Sequence, residues 1–262
     1  MTAEDPDHAW CMSCTGWANL VGPTSDAICP FPSALLGSPT MSTHFVSLLD
    51  ELLRRSLRMA SLVEDIVQEA CEVIFDPNDA LARRVMKRDA EVDRIEVDVE
   101  TEVVRLMALY QPVGSDLRLL CTVLKVNNDL ERIADCAVNM AERAKHLELQ
   151  PIAQASEDLQ QMCPVVRRVL RSAIQAYSAA DPDLARRVLG DDEQVDALYA
   201  QIVRRIVAEA PEESDRLAAH LDLLSVSKNL ERIADHATNI AEDVVFLSTG
   251  DIVRHRDGGP PG

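Results

Sequence analysis

Aromatic side chains make up only 3% of this 262-residue chain. Sheet cores lean on aromatic and β-branched residues, so this scarcity, beside abundant Leu, Val, Ala and Ile, favours helix packing over a sheet core. Positive charge is also short: 26 Lys and Arg stand against 44 Asp and Glu, for a net charge of −18. A nucleic-acid partner needs a basic stripe, and none is present. No apolar run approaches the roughly eighteen residues that cross a bilayer, so no membrane span is expected. The first thirty residues lack a basic stretch followed by an apolar one, so no secretory signal is expected either. No P-loop, dinucleotide fingerprint or nucleophile–base pairing appears, which argues against an enzyme.

Cysteines are few and scattered. Cys71, Cys121, Cys136 and Cys163 each lie singly in a helical pattern and read as small buried hydrophobes. Cys11 and Cys14 form a CxxC with Cys29 beyond it, but a zinc site normally needs a second paired spacing. His8 is the available fourth ligand. Residues 1–40 hold both tryptophans, five prolines and no Lys or Arg, and show no periodicity. They read as a disordered extension. Met41 opens the regular pattern and is a candidate start of translation.

What is present is a sentence written twice. Residues 130–142 read LERIADCAVNMAE and residues 230–242 read LERIADHATNIAE, identical at ten of thirteen positions. Such a repeat marks a duplicated structural unit. In the first copy Leu130, Ile133, Ala134, Ala137, Met140 and Ala141 follow the spacing of a buried helical stripe. Glu131, Asp135, Asn139 and Glu142 fall within about 80° of helix surface, bordering that stripe. Glu231, Asp235, Asn239 and Glu242 repeat the layout. Carboxylates four apart repel one another, so a positive partner is expected. Arg132 and Arg232 point away from the acidic stripe at ideal helical spacing, which leaves a metal ion as the candidate; carboxylate oxygens suit magnesium, calcium, manganese and carboxylate-bound iron.

A second acidic pattern lies upstream of each copy. Asp89 and Asp93 match Asp192 and Asp196. Glu96 and Glu100 continue the first series within about 60° of one face, whereas Tyr199 and Val203 follow in the second. Two such helices facing each other would enclose a multi-carboxylate site. Two other readings stay open: acids that merely solvate a helix face, and a catalytic di-iron bundle. The latter needs Glu-x-x-His pairs, which the chain lacks.

Periodicity and breakers place six helices over about 43–74, 79–109, 115–148, 152–179, 183–209 and 213–248. Asn78, Ser115 and Asp181 are candidate N-caps, Pro164 predicts a kink, and Gly250 closes the last helix. The expected fold is all-α: two tandem three-helix bundles over 41–149 and 150–248, followed by a disordered tail over 249–262.

The sequence resembles the PhoU family of phosphate-transport regulators over residues 41–248. The resemblance rests on Thr43-His44-Phe45, on Gln111-Pro112 with Asp116-Leu117-Arg118, on residues 129–135 and, most of all, on residues 229–242. It implies paired three-helix bundles. It also implies E(D)xxxD motifs that hold multinuclear metal clusters, here Glu131 with Asp135, Glu231 with Asp235, Asp89 with Asp93, and Asp192 with Asp196. Iron, manganese, zinc and magnesium are the implied ions, and their identity stays open. The resemblance further implies a cytoplasmic homodimer. That protein would link the phosphate ABC transporter ATPase to a sensor histidine kinase and restrain the phosphate-starvation response. Two positions depart from the pattern. Ala134 and Ala234 stand where the family usually has Gly, and Cys136 replaces the histidine seen at His236.

Overall fold

The structure is a computed structural model that describes residues 43–76, 78–145, 156–209 and 216–252. Expectations for residues 1–42, including the extension, its CxxC and the start at Met41, lie outside the described residues, as does the tail from residue 253. The described residues form six helices: α1 (Thr43–Phe75), α2 (Asp79–Tyr110), α3 (Ser115–Arg143), α4 (Glu157–Ala179), α5 (Pro182–Glu209) and α6 (Leu217–Thr249). No strand occurs among the described residues.

The ends of the helices follow local chemistry. The Asn78 side chain accepts from the backbone N–H groups of Ala80 and Leu81 and caps α2. Asp181 does the same for Asp183 and Leu184 at the start of α5. Those donors hold the Asp181 carboxyl below the usual carboxylate range. Ser115 does not cap α3: it is the first helical residue, and the cap position belongs to Gly114, whose φ of 58° suits glycine. Ser156, not anticipated, accepts from the N–H of Leu159 and caps α4. Gly250 closes α6 in the left-handed region, as the sequence suggested, but Gln111 and Ala180 close α2 and α4 in that same region without being glycine. Pro164 sits inside α4 without ending it.

Each bundle buries one apolar stripe per helix. On α1 the buried set includes Leu49, Leu52, Leu53, Met59, Val63, Ile66 and Val67, at three- and four-residue spacing. Helices α1, α2 and α3 pack on one another, as do α4, α5 and α6. Two further contacts join the bundles, α3 against α6 and α1 against α4. The α3–α6 pair is antiparallel. Lys125 binds Asp243 at 2.9 Å and Arg143 reaches Asp222 at 3.3 Å, so numbering rises on one helix as it falls on the other. The repeated segments therefore lie side by side where the two bundles meet. Their apolar faces are sealed, with Leu130, Ile133, Ala134, Leu230, Ile233 and Ala234 fully buried.

Candidate functional site

The acids gather along two seams, one per bundle. In the first, α2 packs against α3 and brings Asp89, Asp93 and Glu96 to the same side as Glu131 and Asp135. Desolvation pushes the Asp89 carboxyl up to about 6, helped by Asp93 and Asp135. Glu96 is raised by burial and then by Glu100 and Asp93, and Glu131 by burial and then by Asp135. The acids of α2 border its buried Val92 and Val99 stripe, and the partly dry groove against α3 concentrates their repulsion. The second seam repeats this with fewer acids. Desolvation raises Asp192 to about 6, with Asp196, Asp235 and Glu231 adding to it. Asp235 is raised by burial and by Glu231.

Two cations that the sequence reading had excluded or overlooked sit on these seams. Arg132 does not point away: its Nε lies 3.1 Å from Glu131 Oε2 and its Nη1 lies 3.3 Å from Asp135 Oδ2. The long guanidinium stem swings sideways across the helix surface, which ideal Cβ positions do not convey. In the second seam Lys228 takes this part. Its ammonium binds Glu231 and stands 5.3 Å above the Tyr199 ring. The signal was in the sequence, since Lys228 precedes Glu231 by three residues on one helix face.

The two asparagines have separate fates. Asn139 is exposed. Asn239 turns across the boundary between bundles and donates to Asp129 Oδ1 at 3.3 Å, where His236 Nδ1 also lies at 2.8 Å. Asp129 is 6% exposed, so this cluster is a buried polar tie between α3 and α6. Its counterpart by the duplication would pair Cys136 with Asn229. Instead the Cys136 thiol is buried and pushed up to about 11, and Asn229 donates to the Ser225 carbonyl. With cysteine at 136 and asparagine at 229, both partners of this tie differ in the duplicated position, and Asn229 bonds within its own helix instead.

The seams fit a cation by donor chemistry. Each is lined by carboxylates, and Asp192 Oδ1 is buried without a hydrogen-bond partner. Glu131 Oε2 is buried too, with the Arg132 ion pair as its neighbour. Hard cations favour such oxygens. Among the described residues, however, no three His, Cys, Asp or Glu side chains converge closely enough in this arrangement to enclose an ion.

The sequence profile of the PhoU domain matches residues 56–144 and again 159–244, one match per bundle. This chain belongs to the PhoU family. PhoU-family relatives include a Zymomonas mobilis protein named phosphate-specific transport system accessory protein PhoU homolog, 35% identical over 82% of this chain and 93% of that protein. An Aquifex aeolicus protein of the same name is 36% identical over 79% of this chain and 94% of its own length. The crystal structure of PhoU from Pseudomonas aeruginosa superposes with a TM-score of 0.74 at 33% identity, covering 79% of this chain and all of that one. That of the phosphate transport system regulatory protein PhoU from Streptococcus pneumoniae gives 0.73 at 27% identity, covering 80% and 99%. As in the PhoU domain match, the doubled three-helix unit is the whole of the described fold. No helix among the described residues is long and apolar enough to cross a membrane.

Proposed function

We propose that this PhoU-family chain is a cytoplasmic accessory protein of phosphate uptake that represses the phosphate-starvation response. In this reading it couples the phosphate ABC transporter ATPase to a sensor histidine kinase, as a dimer, and it acts by binding rather than by catalysis. The observation that carries the reading is the double PhoU domain match over both bundles, joined to relatives named as accessory proteins of phosphate-specific transport. The duplicated acidic seams supply the ligand chemistry. Asp89, Asp93, Glu131 and Asp135 would hold metal in the first bundle, and Asp192, Asp196, Glu231 and Asp235 in the second. Asn139 and Asn239 would join only by turning toward the carboxylates, and Asn239 would have to leave Asp129 to do so. A bound cation would offset the crowding that raises Asp89 and Asp192, and carboxylates must turn inward to close on it.

The test is alkaline phosphatase activity in a deletion strain grown with ample phosphate. High activity in the deletion, repressed on complementation by residues 41–262, supports the regulator. Low activity in the deletion moves weight to a metal-binding helical bundle without a signalling role. The metal part is tested separately: Glu131→Lys with Glu231→Lys should abolish manganese or iron uptake by the purified protein, and unchanged metal content in that double variant would refute the site assignment.

A further inference from the structure

The second contact between the bundles carries a thiol pair that neither the regulatory reading nor the metal reading uses. Helices α1 and α4 run antiparallel there, and their side chains meet in rungs. Ser56 and Tyr177 share a buried hydrogen bond of 3.0 Å between hydroxyls. Glu64 is salt-bridged to Arg171, and Arg167 donates to Gln68 at 2.7 Å. Rising along α1 from 56 to 64 to 68 meets falling positions 177, 171 and 167 on α4. One turn further, this register sets Cys71 against Cys163. The two thiols are hydrogen-bonded to each other, both are free, and each is 4% exposed. These two cysteines are buried, as their helical pattern suggests, and they are also a pair contributed by different bundles.

We propose that Cys71 and Cys163 form a reversible disulfide under a peroxide-class oxidant, tying the first bundle to the second. One thiol gives up its proton, and its sulfur attacks a peroxide oxygen. The S–O bond forms as the O–O bond breaks, and the leaving hydroxide takes the proton to become water. The second sulfur then attacks the resulting sulfenic sulfur, forming S–S and breaking S–O. The hydroxyl leaves with the second thiol proton as another water. Two thiols lose two electrons and one peroxide gains them. A dithiol reductant reverses the step.

Burial sets the pace. The Cys163 thiol is held well above its ordinary range by its bond to Cys71 and by desolvation, so little thiolate exists while the α1–α4 seam is closed. Oxidation proceeds when that seam opens, and the disulfide then locks it shut.

The experiment exposes the full-length reduced protein to hydrogen peroxide at neutral pH. Remaining thiols are then alkylated under denaturing conditions, and the protein is digested without reduction for mass spectrometry. The expected result is a cross-linked peptide pair carrying Cys71 and Cys163, without their two thiol hydrogens, which dithiothreitol separates. The oxidised protein should melt at least about 5 °C higher than the reduced protein, because the cross-link closes a long loop in the unfolded chain. Cys136→Ala should keep both effects, and Cys163→Ser should lose both. Recovery of Cys71 and Cys163 fully alkylated, or their linkage to other cysteines, would overturn the proposal. So would a cross-link that lowers the melting temperature, since it would then strain the seam instead of tying it.

Discussion

Asn78 and Asp181 do the same work at the starts of α2 and α5, each accepting two backbone N–H groups that the helix itself cannot satisfy. They differ in charge, and that difference is measurable. Asn78→Ala should cost about 1 kcal/mol of stability at any pH, because an amide cap does not titrate near neutrality. Asp181→Ala should cost stability only while the carboxylate is ionised. The folded-state value of Asp181 is depressed, so its contribution is complete above the ordinary carboxylate value of 3.8 and is lost as pH falls through the depressed one. Urea denaturation of the two variants at pH 7 and at pH 3 checks this. The Asn78 variant should trail the parent protein equally at both, while the gap for the Asp181 variant should narrow in acid. A gap for Asp181→Ala that does not change with pH would mean that the cap is not electrostatic in origin.

Among the elements, the two acidic seams are the most loaded. The folded values of Asp89 and Asp192 are raised to about 6 from 3.8. The sign is opposite to that of Asp181. Between about pH 4 and pH 6 the folded protein holds protons that the unfolded chain has released, so raising pH across that window removes stability. Asp89→Asn with Asp192→Asn should therefore gain on the parent protein as pH rises from 4 to 6.5 and keep pace with it below 4. Millimolar manganese above pH 6 should raise the unfolding midpoint of the parent protein but not that of the double variant. Parallel pH profiles for the two proteins would sink this account.

These seams also mark where sequence reasoning reached and where it stopped. Helix number, the existence of both seams and the pairing of α2 with α3 and α5 with α6 were legible, because helical periodicity and duplication depend on local spacing. Asn78, Asp181 and Gly250 were legible for the same reason. Arg132 was misread because the angle of a Cβ does not fix where a long side chain ends. Asn239 was grouped with Glu231 and Asp235 by angle, but it sits where the stripe turns toward the other bundle, and Asp129 claims it. The Cys71–Cys163 contact lay beyond reach, since it depends on the register of two helices from different bundles.

At the scale of the whole molecule, the α3–α6 boundary explains why two similar halves pair with each other and not each with its own kind. Helix α3 contributes the cations, Lys125 and Arg143, while α6 contributes Asp243 and Asp222, of which Asp243 is 2% exposed. The repeat aligns position 125 with 225, 143 with 243 and 122 with 222, where the paired residues are Lys and Ser, Arg and Asp, and Thr and Asp. A symmetric pairing of two first halves across this face would set Lys125 against Arg143 of the other copy. A symmetric pairing of two second halves would bring Asp243 toward Asp222. Like charges facing each other there would repel, more strongly for the buried Asp243 and Asp222 than for the half-exposed Lys125 and Arg143, whereas the native pairing matches each of these acids with a base. His236 with Asp129 adds to the same preference, because a first-half pair would offer Cys136 in its place. Fragments 41–149 and 150–262, expressed separately, should therefore stay largely monomeric alone and associate one-to-one when mixed, as read by sedimentation velocity. Asp243→Lys in the second fragment should weaken that association by at least tenfold, and Lys125→Asp in the first should restore part of it, because the exchanged charges again attract. Homodimers of either fragment as tight as the mixed pair would show that apolar burial alone sets the boundary and that its charges choose nothing.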